Sequence, residues 1–312
     1  MAQTAAPLFE SGAPAGSPGV APGPVAGPRP ILVVEASSAL LVPRPDAFRR
    51  GDLAIVISQS GDSPETLATA RLARDAGATV MALTAAPDSP LAGAAQLVVH
   101  TPSGREGGAA TKSELAALAA LAALAGALPA DPASARMVRV SLESIVADAD
   151  AAVAGGVVLG RAGRAWAVGF GTAAGLARAA HLLLHEKALL VTVPTTPAEF
   201  RHGPIEAARP DDAVLLVETE APDPRRSAYI ARLASELAAL DVALVATGLG
   251  PYPPSAIGVP IPTLADDPAA LVLLATLLRI QQLARVAAHA RGTYRDGFRI
   301  LRGIVSAADD LG

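Results

Sequence analysis

The stretch VISQSGDSPETL, residues 56–67, decides the fold class, because it joins an apolar run to a helical pattern through a short polar loop. Leu53–Ile57 predicts a buried strand, and Pro64 is typical of the first turn of a helix. Residues 58–63 are therefore a strand-to-helix loop. Its serine hydroxyls, the Gln59 amide and the free N–H groups at the helix start favour an anion such as phosphate. A plain helix cap is the alternative, since serine and aspartate are preferred there regardless of function.

The same alternation of strands and helices continues in two series, over residues 31–128 and 165–291. The predicted strands are Ile31–Val34, Leu53–Ile57, Thr79–Leu83, Leu97–Val99, Ala165–Phe170, Leu190–Val193, Ala213–Val217, Val242–Ala246 and Val259–Pro262. The predicted helices are Pro64–Asp75, Lys112–Leu128, Ala174–Lys187, Arg226–Leu240 and Pro268–Ala290. Such alternation indicates an α/β protein with two doubly wound, flavodoxin-like parallel sheets, whose ligands bind at the carboxyl ends of the strands.

The chain divides into three predicted regions. Residues 1–30 are rich in proline and glycine and have no apolar periodicity, so we expect a disordered tail. The first subdomain with its linker helix is predicted at 31–150, and the second subdomain with a C-terminal tail at 151–312. Residues 129–164 are predicted to join the two strand–helix series as a helix with flanking loops.

Composition excludes several classes of function. The net charge is −4, which argues against a nucleic acid or an anionic membrane held by bulk charge. Cysteine is absent, so disulfides and thiolate zinc sites are excluded. The apolar run Leu115–Ala130 is shorter than the roughly 20 residues of a membrane span, and no signal peptide is evident. We expect a soluble cytoplasmic protein without a cofactor or a metal.

Three ordered motifs resemble the SIS (sugar isomerase) domain family. SQSGDSPETLATARLARDAGATVMALT, residues 58–84, is similar to the family's sugar-phosphate loop. GGAATKSELAALAALAAL, residues 107–124, resembles the segment that follows it. GFGTAAGLARAAHLLLHEKALLVTVPTTPAEFRHGPIEA, residues 169–207, is similar to the isomerase half of glucosamine-6-phosphate synthase and carries an E-x-[KR]-H-G-P signature. The resemblance implies two SIS subdomains and a phosphorylated sugar or amino sugar as ligand.

The resemblance also implies roles for single residues. The phosphate and the sugar hydroxyls would be contacted by Ser58, Gln59, Ser60 and Ser63. A loop over Ala109–Thr111, with Ala110 and Thr111 as candidate contacts, would close over the sugar.

Two further residues take catalytic positions by resemblance. Glu186 would move a proton between C1 and C2, which needs a carboxyl pKa brought toward neutrality by burial. His202 would open the sugar ring from the neighbouring subunit, which implies a homodimer. The alternatives are a solvated charge for Glu186 and a local turn contact for His202, and Glu199 is expected to be a structural hydrogen-bond partner. His181 and His185 have the i, i+4 spacing of zinc ligands, but no clear third ligand accompanies them.

The chain departs from the family pattern in ways that bear on chemistry. The matched region opens at the family's second strand, so the first subdomain is expected to lack its first βα unit. Leu183 stands where the family has one lysine, and Arg302 or Gly303 where it has another. Without cysteine there is no glutaminase nucleophile. Two hypotheses follow: aldose–ketose isomerisation or deamination of the sugar phosphate, or a non-catalytic sugar-phosphate sensor that acts through a partner protein.

Overall fold

The computed structural model describes residues 47–128, 131–221, 223–262 and 269–300. They belong to two compact units, a smaller one up to Leu121 with residues 298–300 and a larger one over residues 122–297. The predicted tail, the predicted strand Ile31–Val34 and the positions Arg302 and Gly303 lie outside the described residues.

The smaller unit contains a parallel three-stranded sheet of order β1-β2-β3. The strands are β1 (Leu53–Ile57), β2 (Thr79–Thr84) and β3 (Leu97–His100). The helices are α1 (Pro64–Asp75), α2 (Pro90–Ala94) and the first part of α3 (Lys112–Leu124). Alternate residues of β1 and β2 face the core, where they pack against small and apolar residues of α1 and α2: Ala54, Val56, Val80, Ala82, Leu67, Ala70, Ala73 and Leu91.

The larger unit is built on a parallel five-stranded sheet of order β5-β4-β6-β7-β8, the flavodoxin-like arrangement in which the first strand lies beside the second and third. The strands are β4 (Ala165–Gly169), β5 (Thr192–Thr195), β6 (Ala213–Glu218), β7 (Ala243–Gly248) and β8 (Ile257–Pro260). The helices are α4 (Pro132–Ala147), α5 (Val153–Arg161), α6 (Ala173–Leu183), α7 (Pro197–Arg201), α8 (Pro224–Ala239) and α9 (Ala269–Ala290). β4 and β6 are buried along their whole length, as expected for central strands covered on both faces.

Helix α9 is the main core helix of the larger unit. By length and composition it is apolar enough to cross a membrane, but most of its apolar window is buried inside the fold. It packs closely against α5 because α5 presents glycines: a Cβ at Gly156 would lie 2.5 Å from Val286 Cβ, and one at Gly160 would lie 2.6 Å from Ala290 Cβ. The apolar character of α9 is therefore explained by helix packing.

The predicted fold class is confirmed, since both sheets are parallel and alternate with helices. The largest differences lie in the linker and around Glu186. The single helix predicted within residues 129–164 is in fact α4 and α5 joined by a 3₁₀ turn, Ala149–Ala152. The helix predicted to reach Lys187 ends as α helix at Leu183 and continues as a π turn, Leu184–Ala188.

Candidate functional site

The loop of residues 58–63 connects β1 to α1 at the carboxyl end of the smaller sheet. Ser58 is buried, and its Oγ accepts a hydrogen bond from Gly61 N at 3.1 Å and lies 3.4 Å from Ser63 Oγ. Ser60 Oγ accepts one from Asp62 N at 3.3 Å, while Gln59 is exposed. The predicted contact residues Ser58, Ser60 and Ser63 thus converge in one loop.

The loop is held in place by the neighbouring strand. Gln59 O accepts hydrogen bonds from Ala85 N at 3.1 Å and from Thr84 Oγ1 at 3.3 Å. Gly61 has φ +67°, and a Cβ there would lie 2.0 Å from Ser89 Oγ, so only glycine fits. The loop is therefore preorganised by the folded unit.

The geometry at Ser63 bears on the choice between a helix cap and an anion site. Ser63 is the N-cap residue of α1, but its side chain makes no capping hydrogen bond. The first N–H groups of an α-helix have no acceptor within the helix. Hydroxyls and helix-start N–H groups thus remain available together, which is the arrangement that binds anions at helix starts. Asp62 and Glu65, both half-buried, reduce the local positive potential.

The second predicted contact, at Ala110 and Thr111, is engaged by a residue that the sequence interpretation missed. Glu106 Oε1 accepts hydrogen bonds from Thr111 N at 2.9 Å, Thr111 Oγ1 at 3.0 Å and Ser113 N at 3.1 Å, and Glu106 Oε2 accepts one from Ser113 Oγ. Burial opposes ionisation of Glu106, but the hydrogen bonds from Ser113 and Thr111 outweigh it and hold the carboxyl pKa below its usual value. The carboxylate caps α3, and an acidic residue shortly before a predicted helix start was the signal for it.

Glu186 lies in the π turn at the end of α6, in the larger unit. It is half-buried, and burial raises the pKa of its carboxyl while the adjacent Lys187 lowers it. π turns inside helices are frequent at functional sites because they redirect side chains. A carboxyl with a raised pKa in such a turn has the chemistry of a general base or acid.

The two histidines before Glu186 have structural partners. His181 Nδ1 lies 2.6 Å from Thr192 O and therefore donates to it, whereas His185 Nε2 accepts from Thr192 N at 3.3 Å. Burial lowers the pKa of His185, and the charge of His181 lowers it further. These contacts fix the π turn against the start of β5.

His202 follows α7, and its neighbours are tightly anchored. Phe200 is fully buried, and Arg201 binds Glu236 with two hydrogen bonds of 2.7 and 2.6 Å. Glu199 forms a capping box with Thr196, which is the structural role expected for it. His202 itself is exposed, and among the described residues its ring has no hydrogen-bond partner. A rigid segment thus presents a free imidazole to solvent.

The predicted residues fall into two groups. Ser58, Ser60 and Ser63 share one loop of the smaller unit, whereas Glu186 and His202 belong to the larger unit. The sequence interpretation also missed an acidic cluster in the larger unit, at Glu218 and Glu220. Its signal was the run ETEAPDPRR at the end of a predicted strand.

Residues 30–127 match the family model of the SIS domain. Over these residues the resemblance to the SIS domain seen in the sequence is confirmed. A segment of 64 residues is 44% identical to glutamine–fructose-6-phosphate aminotransferase (isomerizing) of Bradyrhizobium diazoefficiens. This match covers 20% of the chain and only 10% of that relative's length.

Solved structures extend the likeness over most of the chain. The C-terminal domain of glucosamine-fructose-6-phosphate aminotransferase from Francisella tularensis has a TM-score of 0.70 at 21% identity, over 85% of this chain and 78% of that one. Tagatose-6-phosphate ketose/aldose isomerase from Escherichia coli has a TM-score of 0.69 at 20% identity, over 86% and 77%. A protein from Silicibacter pomeroyi DSS-3, whose assignment as a phosphosugar isomerase is inferred, has a TM-score of 0.63 at 25% identity, over 83% of this chain and 78% of that one.

Proposed function

We propose that the protein binds a phosphorylated sugar or amino sugar at the loop of residues 58–63 and catalyses its aldose–ketose isomerisation or deamination. The observation that carries the proposal is the Ser63 hydroxyl, which faces Ser58 and leaves the start of α1 uncapped. The phosphate would accept hydrogen bonds from these hydroxyls and from N–H groups of the first helical turn. The similar structures named for phosphorylated sugars support this ligand class.

In the proposed reaction Glu186 transfers a proton between C1 and C2. Burial already raises its pKa, which moves a carboxyl toward the range useful for proton transfer near neutral pH. His202 would act on the sugar ring from a second copy of the chain. Its exposure beside anchored neighbours suits a residue that is used across an interface, and we accordingly propose a soluble, cytoplasmic homodimer.

The second candidate is a non-catalytic sugar-phosphate sensor, which the burial of Leu183 favours. Leu183, at the position where the family has a lysine, is 3% exposed and belongs to the core. Its buried methyl groups can neither bind the sugar nor move a proton. On this reading the ligand would bind without turnover.

A titration with fructose 6-phosphate and with glucosamine 6-phosphate tests binding and chemistry together. Calorimetry measures affinity, and chromatography of the same samples detects product. The variant Ser60→Ala with Ser63→Ala should abolish binding, while Ser144→Ala, an exposed serine of α4, serves as the control. Binding without product selects the sensor, and undiminished binding by the double variant rejects the loop as the site.

Co-expression of two inactive chains tests the shared active site. If His202 acts across a two-fold interface, a mixture of Glu186→Gln and His202→Ala chains forms heterodimers with one intact site each. Random pairing then restores about a quarter of the wild-type activity per chain. Absence of any restored activity, with both variants folded and dimeric, would show that Glu186 and His202 of one chain serve the same site.

A further inference from the structure

The larger unit contains a cavity of about 230 Å³ that the proposed function does not use. It lies where β6 and β7 end, at the carboxyl edge of the sheet, where ligands bind in open α/β folds. Its walls include Glu218, Glu220, Arg226, Ile230, Leu249 and Tyr252. The volume is below the roughly 300–1,000 Å³ of a pocket for a drug-sized molecule, so it suits a molecule of about one six-membered ring.

One carboxylate oxygen in this wall lacks a donor. Glu218 is 6% exposed, and its Oε2 accepts a hydrogen bond from Arg226 Nε at 3.2 Å. Its Oε1 is buried and has no hydrogen-bond partner among the described residues. A buried oxygen of this kind costs free energy unless something pairs with it, and native structures contain few of them.

Arg226 does not donate to this oxygen, because four of its five N–H groups bind other acceptors. Its NH1 binds Glu220 Oε2 at 3.2 Å, and its NH2 binds Glu220 O at 2.8 Å and also Ala221 O. The one remaining N–H offers little to an incoming anion. When Glu218 is ionised, two carboxylates and one guanidinium leave the wall with one excess negative charge.

The cavity is kept in shape by the strand ends. Tyr252 Oη donates to Gly248 O at 2.6 Å, and a Cβ at Gly258 would lie 2.6 Å from the Tyr252 ring. Tyr252, Ile230 and Leu249 give the cavity apolar surface. A divalent metal ion prefers several oxygen ligands, whereas one unpaired carboxylate oxygen beside carbon walls fits a cationic N–H donor on a carbon body.

We propose that this cavity is a second ligand site, which takes a small primary ammonium compound with a carbon ring or chain as its body. The ammonium group donates to Glu218 Oε1, and the carbon body packs on Tyr252, Ile230 and Leu249. The site belongs to the larger unit alone and does not depend on the proposed sugar-phosphate function.

Cyclohexylammonium and cyclohexanol form a matched pair of probes, alike in shape and different in charge. Calorimetry on the full chain at pH 8 should show the ammonium binding at least about tenfold more tightly, as expected for a charge-assisted hydrogen bond. Glu218→Gln should abolish that preference, Glu218→Asp should retain part of it, and Glu143→Gln, which removes an exposed carboxylate of α4, should leave it unchanged.

Equal binding of the two probes, binding of neither, or an undiminished preference in the folded Glu218→Gln variant would each overturn the proposal. Ser63→Ala separates this site from the sugar-phosphate loop. Loss of sugar-phosphate binding with intact ammonium binding is the result expected if both sites exist. If only the ammonium probe fails to bind, the proposed sugar-phosphate function is unaffected. If only the sugar phosphate fails to bind, the proposed ammonium site is unaffected.

Discussion

In the smaller unit the loop after β1 gathers serine hydroxyls and helix-start N–H groups, whereas in the larger unit the corresponding edge carries carboxylates. Gly171, in the loop after β4, faces Glu220: a Cβ there would lie 2.4 Å from Glu220 Oε1. Thr172, beside it, uses its hydroxyl on Thr219 Oγ1 at 2.6 Å. Two parallel sheets thus present opposite chemistry at the same topological place.

The fold thus supplies the edge of the sheet, and the loop residues decide what binds there. A phosphate placed after β4 would meet the Glu220 carboxylate, while one placed after β1 would meet hydroxyl and N–H donors with the Asp62 carboxylate beside them. An ammonium group has the opposite preference. A substitution at one edge should therefore leave ligand binding at the other unchanged.

The largest effect is expected from Gly61→Ala, which breaks the edge of the smaller unit. The new Cβ would lie 2.0 Å from Ser89 Oγ and 2.4 Å from Ser89 Cβ, at φ +67°. We expect a loss of about 2–4 kcal/mol in the free energy of unfolding of that unit, from strain and overpacking together. Urea denaturation measures it, and sugar-phosphate binding should be lost as well.

Gly51→Ala is the control for this change, because Gly51 also has a positive φ, +93°, but nothing lies within 4 Å of its Cβ position. It should cost about 1 kcal/mol through backbone strain alone. Equal losses for the two variants would mean that the packing of Gly61 on Ser89 does not hold the loop.

The next effect concerns the acidic edge and its dependence on pH. Burial raises the pKa of Glu218 to about 7, Arg226 acts against that rise, and Glu220 adds to it. Because the folded pKa lies above the unfolded value, stability from this group is complete below about pH 4.5 and is lost as the pH rises through about 7.

Glu218→Gln should therefore gain stability relative to the wild type between pH 5 and pH 8, by about 1–3 kcal/mol. The difference between the two unfolding free energies is the quantity to measure, since it removes the titration of all other groups. Arg226, Glu220 and Tyr252 are the titratable groups that face Glu218. A difference that is constant with pH would show that Glu218 is ionised as in water.

The sequence predicted the strands and most helices because their apolar runs and capping residues are local signals. β1 and α1 have the predicted bounds to the residue, since an apolar run and a proline mark them. The π turn around Glu186 was not predictable, because it depends on contacts of His181 and His185 with the main chain of Thr192 in a neighbouring strand.

The candidate site shows the same division. The serine loop follows from sequence order alone, whereas the engagement of Thr111 by Glu106 depends on how a loop folds back to a helix start. The unpaired oxygen of Glu218 depends on which partners Arg226 takes. The hydrogen-bond partners of these side chains depend on the three-dimensional fold, and the periodicity of the sequence does not predict them.

Two serines of the same loop should respond differently to removal of their hydroxyls. Ser58 Oγ accepts the buried Gly61 N, so Ser58→Ala leaves that N–H without a partner and should cost about 1–2 kcal/mol of stability. Ser63→Ala removes a hydroxyl that does not cap α1, so stability should change by less than about 0.5 kcal/mol while sugar-phosphate affinity falls. Thermal unfolding and calorimetry on both variants separate the structural role of Ser58 from the ligand-binding role of Ser63. Equal stability losses would mean that Ser63 caps α1.

The smallest effect is expected from Asp62→Asn, which removes a negative charge from the edge of the smaller unit. The Asp62 N–H donates to Ser60 Oγ and is retained by asparagine, so the loop keeps its shape. The Asp62 carboxylate would repel a phosphate ester in the loop. Removing this charge should raise the affinity for the ester about two- to fivefold at low salt, since a half-exposed charge contributes ~0.5–1 kcal/mol. The gain should shrink at higher ionic strength, because salt screens partly exposed charges. Ammonium binding in the larger unit should be unaffected, and an affinity for phosphate esters that does not change at low salt would place the ester away from this loop.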